Sequence, residues 1–238
     1  NQLMWFDGVA DYVEIADHND FSFTDGSDDD KVFSISAWVF MNDITDGFPI
    51  VTKYQSSSTR EWNLRVNHAD QDLNFFAYDE SVNSYIGRKY QGSTMASFVG
   101  EWVHIVGTYT GSNASSGFKL YINGERMDDD DFEGTGTGVY AGMENLTGTV
   151  DIGRDGANGK YANGCITEVS IWSYTLGQEQ VEELYNDGKA LNAKEHSVYE
   201  SDNTYLDAYW RNNGLATWQD LTANNRDAAP QSATETML

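Results

Sequence analysis

The chain contains a single cysteine, Cys165, and only two prolines. One thiol excludes an internal disulfide and any multi-cysteine metal site, and it leaves open whether the protein works in an oxidising compartment. No apolar run approaches the roughly 18 to 20 residues needed to cross a bilayer, so no membrane insertion is expected. Basic residues are scarce too: 14 Lys and Arg face 38 Asp and Glu, for a net charge of −24 over 238 residues. That field repels nucleic acid and anionic membranes and attracts cations. It suits a protein that stays soluble in high salt or outside a cell, where divalent cations can fill weak carboxylate sites.

Other signatures are missing as well. The opening residues NQLMWFDG have neither a basic region nor an apolar one, so any signal peptide has been removed or never existed. If Asn1 followed directly on an initiator Met, the gene would begin with the domain itself, which favours a component such as part of a virus particle over a secreted enzyme. There is no HExxH, no GxSxG and no phosphate-binding loop, and His18, His68, His104 and His196 show no zinc spacing. His104 lies inside a strand pattern and reads as a packed residue, and Cys165 as a structural thiol. Glycoside hydrolysis needs two carboxylates roughly 5 to 10 Å apart, which one sandwich strand would supply as ExDxE. That pattern is absent: Glu168 in ITEVSI has Ile166 and Ser170 as same-face neighbours. A hydrolase would have to assemble its pair from separate strands.

Two acidic runs, Asp28 to Asp30 and Asp128 to Asp131, invite a calcium reading. From Asp129 the second imitates an EF-hand loop through Asp131, Glu133 and Gly134, but position 12 is Tyr140 rather than a bidentate Glu. A solvated loop is the expectation. The sequons at Asn113 and Asn145 are what chance supplies in a chain rich in Asn, Ser and Thr.

What the chain does have is 14 Tyr, 11 Phe, 7 Trp and 22 Gly, the composition of strands punctuated by glycine turns. In VFSISAWVF, Phe33, Ile35, Ala37 and Val39 alternate with Ser34, Ser36 and Trp38; in EWNLRVN, Trp62, Leu64 and Val66 alternate with Asn63, Arg65 and Asn67. FKLYINGERM brings Phe118, Leu120 and Ile122 to Asn123-Gly124, a type I′ hairpin signal. Further strands are expected at LNFFAY, EWVHIVGTYT, GTVDIG and CITEVSIWS. Their spacing predicts an all-β fold, a two-sheet antiparallel jelly-roll sandwich. One short helix is expected in LGQEQVEELYNDGKAL from Val181, Leu184 and Tyr185, stopping at Gly188 and covering one end of the sandwich. A polar stretch follows, and then Trp210 and Trp218, which predict that the tail returns to pack.

The ordered series WFDGVADYVEI, FSISAWVF, IVTKY, GEWVHIVGTYTG, KLYINGE, VDIGRDG and GCITEVSIWSYTLGQEQVEELY resembles the LamG-like jelly-roll family of the concanavalin A-like lectin/glucanase superfamily. The resemblance covers about residues 3 to 190. It implies a concanavalin A-like domain over residues 1–190, with an extension over 191–238 that packs on the domain or on a neighbouring subunit. Members of the family bind glycans or protein surfaces, often with calcium, as adhesion modules, as appendages of polysaccharide-degrading enzymes and in phage tails or fibres. The tail LDAYWRNNGLATWQDLTANNRDAA resembles extensions in phage structural proteins, which implies virion neighbours or a homo-oligomer.

The resemblance also implies sites. Asp7, Gly8 and Asp11 match the family's N-terminal calcium element. The usual partner carboxylate falls at Thr167, which makes calcium a weak or incomplete cofactor here. The loop GRDGANGKYANG corresponds to the variable loop beside the concave sheet, with Asp155, Asn158 and Tyr161 as ligand contacts, joined by Tyr54, Arg60 and Trp62. Aromatic faces stack on sugar C–H surfaces while short polar groups fix orientation. For Trp62, packing between the sheets is an equal alternative. The expected function is a non-catalytic lectin-like binding or assembly module, extracellular or on a virion, with a hydrolase or lyase on the same fold as the alternative.

Overall fold

A computed structural model describes residues 3–27, 29–91 and 94–231, so Asp28 and the last seven residues of the tail lie outside the described residues. Alternating apolar residues become strands: β1 (Phe6–Asp7), β2 (Tyr12–Ile15), β3 (Phe33–Asp43), β4 (Phe48–Tyr54), β5 (Arg60–Val66), β6 (Leu73–Asp79), β7 (Ser84–Tyr90) and β8 (Trp102–Tyr109). There follow β9 (Phe118–Ile122), β10 (Glu125–Arg126), β11 (Asp130–Asp131), β12 (Val150–Ile152), β13 (Arg154–Asp155), β14 (Lys160–Tyr161) and β15 (Asn163–Trp172). Helices α1 (Gln178–Tyr185) and α2 (Ser197–Ser201) precede β16 (Leu206–Trp210) and β17 (Ala228–Gln231).

Two antiparallel sheets stack as a sandwich. The first runs β1-β15-β3-β8-β9-β10, with β16 also paired to β15; the second runs β11-β7-β6-β5-β4-β12-β2-β17. Phe33, Ile35, Ala37 and Val39 of the first sheet meet Trp62, Leu64, Phe75 and Ala77 of the second in a core from which water is excluded. The layers are tightly packed at Gly107, where a Cβ would lie 2.6 Å from the Phe75 ring. Asn123 and Gly124 take the positive φ that the hairpin between β9 and β10 requires.

Three local expectations are corrected. Helix α1 covers the outer face of the first sheet, not an end of the sandwich. Part of that face is apolar, and Val181 and Leu184 join Val106, Tyr121 and Trp172 there, while Tyr185 stacks on Trp38 at 5.8 Å. The helix stops at Asn186, whose side chain tolerates the left-handed conformation, two residues before Gly188. The acidic run at 128–131 is no solvated loop: it pairs with β7 as β11, and Asp128 and Asp131 hold Arg88.

The C-terminal segment enters both sheets. β16 extends β15 through Val169↔Trp210, and β17 pairs with β2 through Ala228↔Ile15. Trp210 and Trp218 are fully buried in the main core. No described helix is long and apolar enough to cross a membrane.

Candidate functional site

Residues of β4 to β7 that alternate away from the core line up across the outer face of the second sheet. Register aligns Thr52 with Asn63, Asn63 with Phe76 and Phe76 with Gly87. A neighbouring row carries Arg65 opposite Asn74, Asn74 opposite Lys89 and Lys89 opposite Asp130. A third row is aromatic, with Tyr78 opposite Tyr85, and Tyr54 paired to Arg60.

The aromatic rings form their own cluster. Tyr54 meets Phe76 at 5.6 Å and Tyr78 at 5.5 Å, both edge-on, and Phe132 closes on Tyr85 at 4.8 Å. The Arg60 guanidinium lies 4.1 Å over the Tyr78 ring and is held there by Glu80 at 2.7 Å. Burial raises the Tyr54 phenol well above its ordinary range, so it stays a neutral donor.

The loop after β12 brings the charge. Asp155 is buried; its Oδ2 accepts from Asn63 and Asn158, each at 2.9 Å, and pairs with Arg65. Its Oδ1 accepts the Asn158 amide at 3.2 Å, which caps the turn at Gly156–Asn158. Tyr54, Arg60, Asp155 and Asn158 thus lie together on this face, the last three held by ion pairs or hydrogen bonds.

The floor is left with unmet hydrogen bonds. Asn63 Oδ1, Arg65 Nε and both amide atoms of Asn74 are buried without a partner. Each such group costs about 1–3 kcal/mol when left dry, and native structures pair nearly all of them. The nearest carboxylates are committed: Asp151 is bound to Arg154 at 2.8 Å and Thr149 at 2.9 Å, and Asp155 as above. At its accessible rim the arrangement can offer the Arg60 and Arg65 guanidinium groups, Asn158 and the edge of Tyr85 to a polar ligand.

Two expected contacts lie elsewhere. Trp62 is a core residue: its Nε1 donates to the Phe21 carbonyl at 2.8 Å and its ring faces Phe23 and Phe33, because its position on β5 alternates inward. Tyr161 sits 6.3 Å from Tyr12, opposite Arg154. Asn63, Arg65, Asn74 and Phe76 were not singled out as site residues, although their alternation with Trp62, Leu64 and Phe75 marks the outward face.

Of the residues matched to a calcium element, Asp7, Gly8 and Asp11 share one turn and Thr167 lies apart. Asp7 Oδ1 accepts the amides of Val9, Ala10 and Asp11 at 2.8 to 3.1 Å and stabilises the turn at Gly8, whose φ is 76°. Asp7 is opposite Asn163, so Thr167 is four residues further along β15, roughly 13 Å away at ~3.3 Å per residue. Its Oγ1 accepts the Asn212 amide at 3.1 Å. Among the described residues no three His, Cys, Asp or Glu side chains are grouped to hold a metal ion, and Asp7 and Thr167 are too far apart to share one. His104, buried and bonded to Ser36 at 2.8 Å, is pushed down to about 3 by burial and stays neutral.

No curated protein matches the chain significantly. Among solved structures, a protein of Bacteroides ovatus provisionally described as carbohydrate-binding superposes with a TM-score of 0.57 at 15% identity, over 96% of this chain and 58% of its own length. The chain therefore spans little more than half of that protein. A heptameric SAP-like pentraxin from Limulus polyphemus gives 0.48 at 14% identity, over 77% of this chain and 81% of that one. Domain 4 of a GH43 extracellular arabinanase from Geobacillus stearothermophilus, in complex with arabinotriose, gives 0.44 at 20% identity, over 65% and 66%. A family model described as the concanavalin A-like lectin/glucanases superfamily matches residues 7–182, and with its two-sheet sandwich and laminin G-like order of motifs the chain belongs to that family.

Proposed function

We propose that the protein is a non-catalytic binding module that takes a glycan segment on the outer face of its second sheet. The observation that carries this is the set of accessible groups held around the buried rings of Tyr54 and Phe76: the Arg60 and Arg65 guanidinium groups, the Tyr85 ring and Asn158. Glycan hydroxyls accept from guanidinium and amide groups, and ring edges suit the C–H faces of sugars. The carbohydrate-binding description of the Bacteroides ovatus protein is consistent with this reading. The strongly acidic surface supports an extracellular or virion setting.

The test is Arg60→Ala, assayed against a panel of plant and marine polysaccharides by calorimetry. The Arg60 side chain is partly exposed, so the fold is expected to survive its loss. Affinity for the ligand is expected to fall at least about tenfold, the equivalent of one hydrogen bond. Unchanged affinity in Arg60→Ala and in Arg65→Ala overturns the site. Release of reducing ends or unsaturated products by the wild-type protein supports the hydrolase or lyase reading.

A further inference from the structure

Lys53 on β4 and Glu61 on β5 are both fully buried, at the side of the core away from the site above. Lys53 Nζ donates to Glu61 Oε1 and, at 2.8 Å, to the Leu146 carbonyl. Asp17, just beyond β2, places Oδ1 2.9 Å from the same nitrogen, yet that oxygen makes no hydrogen bond. The Asp17 side chain is 29% exposed, so one side of the cluster is open to water. Two carboxyls share one amine nitrogen where charge is poorly solvated, and an ion triad of this kind keeps one negative charge uncompensated. Burial pushes Glu61 up to about 7, against the opposing pull of Lys53, so near neutrality it can take a proton and give it back.

We propose that Lys53 and Asp17 condense into an intramolecular isopeptide bond, with Glu61 as the proton carrier. Lys53 passes one ammonium proton to Glu61, and the freed amine attacks Cγ of Asp17. As the C–N bond forms, a second amine proton moves to a carboxyl oxygen. Glu61 returns its proton to that oxygen, the C–O bond breaks, and water leaves by the open side of Asp17. Ammonium and carboxylate become amide and water: nothing is oxidised or reduced, and no co-reactant is consumed. The product staples the segment after β2 to β4 across the intervening β12, and the cross-link restricts the unfolded chain.

Intact mass spectrometry of the denatured protein, purified at neutral pH, decides this. The expected mass is one water below that of the sequence, and proteolysis is expected to yield a branched peptide joining the segments around Asp17 and Lys53. Asp17→Ala alters a partly exposed position and is expected at full mass, as is Glu61→Gln. Asp17→Asn is expected to lose ammonia in place of water. A wild-type mass equal to that of the sequence overturns the proposal whether or not the variants fold, and so does a water loss that survives Asp17→Ala.

Discussion

Replacing Trp210 with alanine removes one of the two indoles that the C-terminal segment places in the core. The side chain is fully buried, its ring lies 6.1 Å from Phe21, and Nε1 donates to the Arg226 carbonyl at 2.7 Å. Truncating a buried aromatic costs ~3–5 kcal/mol, and the stranded carbonyl adds about 1 kcal/mol. For a chain of this size that corresponds to a fall in Tm of roughly 10–20 °C. Urea unfolding followed by far-ultraviolet circular dichroism is expected to show a lower midpoint with an unchanged slope. Because both partners of the indole belong to the same chain, the midpoint is expected to be independent of protein concentration. A loss below about 1 kcal/mol, or a midpoint that rises with concentration, would refute the placement of β16 within its own sandwich.

Three further outcomes are expected. Gly107→Ala forces a methyl against the Phe75 ring between the sheets and should cost ~1–3 kcal/mol by thermal melting; an unchanged Tm would show that the layers have slack there. Burial pushes the carboxyls of Asp151 and Asp207 up to about 6 and 7, although Arg154 and Arg226 pull them down. At these two positions the folded state binds protons more tightly than the unfolded one, so their contribution to stability is greatest below the ordinary carboxylate value of 3.8 and is lost as pH rises through about 6 to 7. High salt separates this from general charge repulsion, and Asp207→Asn should flatten the dependence; a wild-type protein that is more stable at about pH 8 than at about pH 5 contradicts it. Calcium is expected to leave the Tm unchanged, because Asp7 is occupied by three amides and Thr167 is remote from it; saturable stabilisation by calcium alone would show a shell that these residues do not form.

The strands were legible because alternation is a local property. Phe33, Ile35, Ala37 and Val39 declare their face within nine residues, and Asn123-Gly124 declares its turn in two. Half of the site was legible for another reason: the loop containing Asp155 and Asn158 keeps its place in the ordered motifs of the family. The remainder depends on register, which no single strand contains. Asn63, Phe76 and Thr52 become neighbours only when β4, β5 and β6 pair with the offsets seen here, including the bulge between Lys53 and Tyr54. That bulge matters to Arg60, which shares the outer face with Tyr54 although Trp62, two residues on, points inward. The failed convergence of Asp7 and Thr167 is likewise a matter of register, since a motif records order along the chain but not the distance between paired strands.

The two outer faces of the sandwich are covered in different ways. On the first sheet, Trp38, Val106, Tyr121 and Trp172 present an apolar surface, which α1, α2 and the start of the C-terminal segment cover with Val181, Leu184, Val198 and Leu206. Burying that surface is favourable in the free protein, so the chain closes it with its own residues. On the second sheet the corresponding positions are Thr52, Asn63, Arg65 and Asn74, and neither described helix is part of the aromatic cluster beside them. The covered face of the first sheet holds polar groups as well: Ser36 is bonded to His104 at 2.8 Å, and His104 Nδ1 is as unmet as the amide of Asn74. Dry polar atoms of this kind lower the stability of the free protein on both faces. On the function proposed above, what separates the two faces is the accessible rim of the second, where Arg60, Arg65 and Asn158 stand beside the aromatic cluster.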